Sequence, residues 1–256
     1  MLDTKRLLDQ FLGTPTARQS LPQTGGQSPG GLSDLAQSAG GFLGGNLGGI
    51  GGGAVAGGLA AILLGSKSGR KLAGNAVTYG GMAVLGALAY RAYQNYQEGK
   101  APAASQASAP SAIAALPAPQ GTPFNPSNEA EQQSLARNLL RAMIAAAKAD
   151  GHVDAAEQAN IFSQMDQLNL SAEEKAFVID ELRRPLDIDA VASGVSTPEE
   201  AAEVYAASLI AIDVDNAAER GYLGMLAARL NLDEKLVEHL HATIESATEK
   251  AHAKAG

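Results

Sequence analysis

The spacing of apolar residues changes character twice along the chain. From Gly40 to Gly65 there is no formal charge, and Asn46 is the strongly polar exception. That length suffices for one helical crossing of a bilayer. Almost half of the window is glycine, so its hydropathy is marginal and the spacing carries more of the reading. Gly41, Gly45, Gly49, Gly53 and Gly57 recur every fourth residue, continued by Ala61 and Gly65, beside a second row through Gly40, Gly44, Gly48, Gly52, Ala56 and Ala60. On a helix these rows form adjacent ridges of small side chains, which let two backbones approach closely in lipid and support a homo-oligomer. A second uncharged stretch, Leu72 to Tyr90, follows the basic turn Gly65-Ser66-Lys67-Ser68-Gly69-Arg70-Lys71. The pattern predicts a polar N-terminal segment over 1–39 and a glycine-zipper membrane region of one or two helices over 40–91.

Residues 92–128 form an Ala/Pro-rich linker, with prolines at 102, 110, 117, 119, 123 and 126 that exclude a continuous helix. From Glu129 the period becomes that of amphipathic helices. Leu135, Leu139, Leu140, Met143, Ile144 and Ala147 make one apolar face; later faces are Ile161, Phe162, Met165 and Leu168; Phe177, Val178 and Leu182; Val204, Tyr205, Leu209 and Ile212; Leu223, Leu226 and Leu230; and Leu236, Val237, Leu240 and Ile244. Ser171 with Glu174 reads as a capping box, and Thr197-Pro198-Glu199-Glu200 as an N-cap followed by proline and acidic residues in the first turn. The expected fold is all-α, with six or seven helices and no sheet over 129–256.

Charge sharpens this division. Residues 1–128 hold 4 acidic and 8 basic side chains, whereas 129–256 hold 23 and 11. So acidic a domain repels nucleic acid phosphates, and a cation or a basic protein partner suits it better. Cysteine is absent, which excludes disulfides and thiolate chemistry. The first residues lack the pattern of a removable signal peptide, so a membrane segment is expected to stay attached. If both stretches cross, or only the second, the positive-inside rule keeps Lys67, Arg70 and Lys71 in the cytoplasm and places the C-terminal domain in the periplasm; a lone crossing by the first stretch would place it inside.

Acidic residues gather in two inter-helix turns. In the first, Asp150, Gly151, Asp154 and Glu157 match the second half of an EF-hand loop, but Ala146 and Lys148 stand where its first acidic ligands belong, which excludes a normal EF-hand. The second turn carries Asp213, Asp215 and Glu219. The two segments share Ala-Ala-Glu at 155–157 and 217–219 and Leu-Asn-Leu at 168–170 and 230–232, the pattern of a duplicated helical hairpin. Asp150, Asp154, Glu157, Asp213, Asp215 and Glu219 are candidate ligands for a divalent cation. The alternative is local capping, with Asp154 and Glu157 starting a helix.

The run Ala147-Lys148-Ala149-Asp150-Gly151-His152-Val153-Asp154-Ala155-Ala156-Glu157, followed by Ile210 to Asp215 and Glu219, resembles the tellurite-resistance TerB-like helical domain. With the glycine-rich region ahead of it, the chain is similar to the YebE-like family of bacterial inner-membrane proteins. The resemblance implies an all-helical fold, an inner-membrane location and metal sensing at the acidic turns, and it brings no enzymatic activity. Gly49, Gly51 and Ala54 mimic a dinucleotide fingerprint without the strand it requires. His239 and His241, two apart on a predicted helix, point to different sides. The function expected is a non-enzymatic, membrane-tethered interaction or cation-sensing module, the alternative being a glycine-zipper oligomer that alters membrane integrity under control of the helical head.

Overall fold

In the computed structural model the described residues are 2–12, 81–102, 121–149, 170–212, 214 and 217–253. Among them are eight helices and no strand: α1 (Thr4–Phe11), α2 (Gly81–Gln97), α3 (Glu129–Ala147), α4 (Ala172–Arg183), α5 (Ile188–Ala192), α6 (Pro198–Ala211), α7 (Ala217–Arg229) and α8 (Glu234–Ala253). A lone bridge joins Thr122 and Asn125. The all-α expectation holds.

The core is organised by α6. Its start is fixed by Thr197, whose hydroxyl accepts the Glu200 amide at 3.1 Å, and by Pro198 in the first turn. Beyond that turn every residue from Ala201 to Ala211 is buried. A helix without a polar face has to be covered from all sides. Here α3, α2, α8 and α7 all pack against it. The face of α3 read from its periodicity is the one used, with Leu139, Leu140, Met143 and Ile144 buried. The capping box at the head of α4 is also present, the Glu174 amide meeting Ser171 Oγ at 3.2 Å and the Ser171 amide meeting Glu174 Oε2 at 2.7 Å.

The helical body extends beyond residues 129–256. Met82, Val84, Leu85, Leu88, Ala89 and Ala92 of α2 are buried against α6, α8 and α1. Burial of each such leucine contributes about 2 kcal/mol, so Leu85 and Leu88 alone hold α2 firmly to the body. Phe124 is buried as well, with its ring 5.5 Å from Tyr90 and 5.7 Å from Tyr93. At the other end of the chain, Leu7 and Leu8 of α1 are fully buried where α1 meets α3 and α2.

These contacts correct the membrane reading. The latter half of the uncharged stretch from Leu72 to Tyr90 faces protein, and no helix among the described residues is long and apolar enough to cross a membrane. The transmembrane assignment, the inner-membrane location and the periplasmic placement of the C-terminal domain are therefore withdrawn. The physical reason is that an uncharged helix satisfies a protein interior and a lipid interior equally well. Gly41, Gly45, Gly49, Gly53 and Gly57 lie outside the described residues.

One close approach fixes the connection into α6. Asn138 of α3 donates from Nδ2 to the Gly194 carbonyl at 2.7 Å and to Glu200 Oε1 at 2.8 Å, while Glu200 Oε2 accepts the Ser196 amide at 2.9 Å. A Cβ at Gly194 would stand 2.7 Å from Asn138 Oδ1, and Asn138 is pinned by its own hydrogen bonds. Gly194→Ala should lower the unfolding free energy by about 1–3 kcal/mol, as overpacking does. Chemical denaturation of Gly194→Ala with and without Asn138→Ala checks this; the loss should shrink in the double variant, and full additivity would contradict the contact.

Candidate binding cleft and buried carboxyl

A cleft of about 350 Å³ opens between the second half of α2, the start of α6 and the turn from α7 to α8. Its α2 wall is Tyr93 and Tyr96, both half-buried, with ring centres 6.4 Å apart. Tyr93 is held from behind by Phe124, and Tyr96 by the buried His239 ring at 6.4 Å. The opposite wall contains Leu230, Asn231, Leu232 and Asp233. That turn is sharp because Asn231 adopts a left-handed φ of 53°, a conformation asparagine tolerates better than most residues. The Leu232 amide then reaches back to the Ala227 carbonyl at 3.0 Å, closing the end of α7. Asp233 starts α8 by accepting the Lys235 amide at 2.9 Å. Arg229 on the rim pairs with Asp189 at 2.9 Å; both are well exposed, so the pair adds little stability.

Beyond its first turn, α6 carries polar groups into the core. Glu203 is fully buried, and neither of its carboxyl oxygens has a hydrogen-bond partner. Burial raises its pKa well above the usual carboxyl range, and nearby Glu200 pushes the same way. Both effects favour the protonated, neutral form of the carboxyl over the charged one. Gly86 of α2 makes room for it, since a Cβ there would lie 2.6 Å from the Phe124 carbonyl oxygen and 3.0 Å from Glu203 Oε1. Two residues further along α6, the Tyr205 hydroxyl meets His241 Nε2 at 2.9 Å. Burial pushes Tyr205 up to about 12 and lowers His241, with Glu245 pulling His241 back toward its charged form. The hydrogen bond thus joins a protonated tyrosine to an imidazole that favours its neutral form, with the histidine tautomer setting which of the two donates. Tyr222 is likewise pushed up to about 12 by burial, with Ser208 pulling the other way.

The cation candidates are differently placed. Asp150, Asp154, Glu157, Asp213 and Asp215 lie outside the described residues. Glu219 sits half-buried in the first turn of α7. Among the described residues no group of three or more His, Asp or Glu side chains is placed to hold a metal ion. Lys148, the second residue of the run on which the family resemblance rests, closes α4: its ammonium donates to the carbonyls of Glu181 at 2.8 Å and Arg184 at 2.7 Å. A cation at the negative end of a helix dipole is favourable. Its partial burial lowers its pKa, while Glu181 raises it and Arg184 lowers it further.

Sequence reasoning missed Glu203, Tyr93 and Tyr96. Glu203 follows the acidic first turn of Glu199 and Glu200, and the signal for its burial is the run from Ala201 to Ile212, which has no polar side on which a charge could be solvated. The two tyrosines fell where the chain was read as turning into linker.

The buried carboxyl makes stability depend on pH in a definite direction. Folded Glu203 keeps its proton while the unfolded chain releases it near the ordinary value of 4.5. Its favourable contribution is complete below that pH and declines as pH rises, by up to about 1.4 kcal/mol per unit, until the folded group ionises. Glu203→Gln should remove this part of the slope in urea denaturation between pH 5 and 8; equal slopes for the two proteins would show that Glu203 ionises freely in the fold.

A profile of the family described as "Protein of unknown function (DUF533)" matches residues 49–244, most of the chain. A relative from Yersinia enterocolitica, described as "Uncharacterized protein in ampR 5'region", is 31% identical over 108 residues, which cover 42% of this chain and 78% of that protein. No solved structure matches. The family lies within the TerB-like superfamily, in agreement with the likeness read from Ala147 to Glu157 and from Ile210 to Asp215 with Glu219. By the extent of the profile match and by this relative, the chain belongs to the DUF533 family of proteins of unknown function.

Proposed function

We propose that this chain is a non-enzymatic binding module that holds a basic segment of a partner protein in the cleft between α2, α6 and the α7–α8 turn. The observation that carries this reading is the wall of two tyrosines, Tyr93 and Tyr96, each braced from behind by another ring. Braced aromatic side chains lose little entropy on binding and present large apolar faces, which is why they anchor interfaces. They also attract lysine and arginine through their ring faces. The surrounding residues 129–256, with 23 acidic and 11 basic side chains, would steer such a segment inward. Glu203 is sealed in the core and takes no part in the contact; its role in this reading is to shape the α2–α6 seam. The finer likeness to the YebE-like group adds no activity to this proposal.

The test is fluorescence anisotropy of a labelled peptide alternating leucine and lysine, titrated with the full chain. Saturable binding that weakens with added salt is expected. Tyr96→Ala should weaken it at least about tenfold, equivalent to roughly 1.4 kcal/mol. A change at the exposed Met225 on α7 should leave it unaltered. Unsaturable binding, or equal affinity for Tyr96→Ala and the parent chain, would contradict the proposal.

A further inference from the structure

We propose that the Glu203 carboxyl is a proton-dependent latch on the turn 121–126: with its proton it keeps Phe124 seated on α2, and on losing it lets Phe124 lift and slackens the tyrosine wall of the cleft. The effect on binding rests on the role proposed above for that cleft; the latch itself does not. Three parts of the chain converge over the bare Cα of Gly86. The Phe124 carbonyl oxygen stands 2.6 Å, and Glu203 Oε1 3.0 Å, from the place a Gly86 Cβ would fill. Both Glu203 oxygens are sealed from water and neither has a hydrogen-bond partner. The polar group set against them is therefore a carbonyl, itself an acceptor. A protonated carboxyl can turn its O–H toward such a group, whereas a carboxylate has only lone pairs to offer it. A buried charge without a donor is costly, so the position of Phe124 and the proton on Glu203 are linked.

The groups around Glu203 give a carboxylate no relief. On α6 itself Glu200 opposes its ionisation, as burial does. The turn 121–126 has no titratable side chain. On α3, Arg141 is engaged by Glu181, and on α8, His241 is engaged by Tyr205 and His239 lies against Tyr96. Tyr222 of α7 is pushed up to about 12, and Arg91 of α2 is not among the influences on Glu203. On ionisation the carboxyl O–H bond breaks, the proton passes to water, and the charge left behind repels the Phe124 carbonyl. The turn is the part that yields. Phe124 is its one buried residue, whereas α2 and α6 are held by many. Its own bonds run from the Asn125 amide to the Thr122 carbonyl at 2.9 Å and from the Gly121 amide to the Asn125 carbonyl at 3.1 Å. When Phe124 lifts, Tyr93 loses the ring 5.7 Å behind it.

Amide exchange of the full chain from pH 5 to 9, followed by NMR and corrected for the free-peptide rate, tests the latch. Protection at Gly121 and Asn125 should fall with rising pH by up to about tenfold per unit, through an opening that leaves the amides from Ala206 to Ile210 protected. Glu203→Gln, whose side-chain amide stays neutral and can still donate, should keep that protection level across the range. Gly86→Ala, whose methyl group crowds the Phe124 carbonyl, should loosen the turn at every pH without altering the acid. Affinity for the leucine–lysine peptide should fall with pH in the parent chain and stay level in Glu203→Gln. A peptide that fails to bind while the amides behave as described would contradict the binding role and support the latch. Level protection in the parent chain, an equal fall in Glu203→Gln, a tight turn in Gly86→Ala, or loss at Gly121 and Asn125 only in step with α6 would overturn the proposal.

Discussion

Every side of α6 beyond its first turn has to be kept from water, and that requirement shapes the molecule. The run from Ala201 to Ala211 offers no stripe along which a polar surface could form. A two-helix arrangement would leave half of it wet, so α3, α2, α8 and α7 are all recruited around it. This is why a helix from the first hundred residues, α2, belongs to the same core as helices from the last sixty. The Phe124 segment follows from it, since the rings of Tyr90 and Tyr93 on α2 give Phe124 its seat. Small side chains at Ala202, Ala206 and Ala207 allow the neighbours to come close enough to close over the helix.

Much of this was legible in the amino acids, and the exceptions share a cause. The faces of α3, α4, α7 and α8, the capping box at Ser171 and the start of α6 at Thr197 are written in local spacing and local hydrogen bonding, both of which act within a few residues. What local spacing cannot express is the medium that a greasy helix meets. Leu85 and Leu88 would suit acyl chains as well as they suit α6, and only the tertiary contacts distinguish the two. The short run containing Leu7, Leu8 and Leu12 had helical spacing too, but it is so brief that its meaning lay entirely in Gln133, more than a hundred residues away.

Polar residues needed the same context. Lys148 stood out by its place in a recognisable run, and its observed work is to satisfy the carbonyl end of α4. Glu203 went unnoticed among acidic neighbours, yet it is the one among Glu199, Glu200 and Glu203 that is driven fully inside, because it falls after the helix has lost its wet side. Its raised pKa follows from that position, and the bare Cα of Gly86 is the accommodation made opposite it. The tyrosine pair on α2 acquires its rigidity from the same assembly, so the cleft proposed to bind a partner exists only while α2 stays on α6.

The claim on which all of this rests is that α2 and α6 form one cooperative core. Native-state hydrogen exchange of the full chain tests it directly by comparing the buried amides between Val84 and Ala92 with those between Ala201 and Ala211. If the account is right, both sets exchange through the same opening, with the same free energy and the same dependence on denaturant. Exchange of the α2 amides through a separate, much lower-energy opening while α6 stays protected would contradict it.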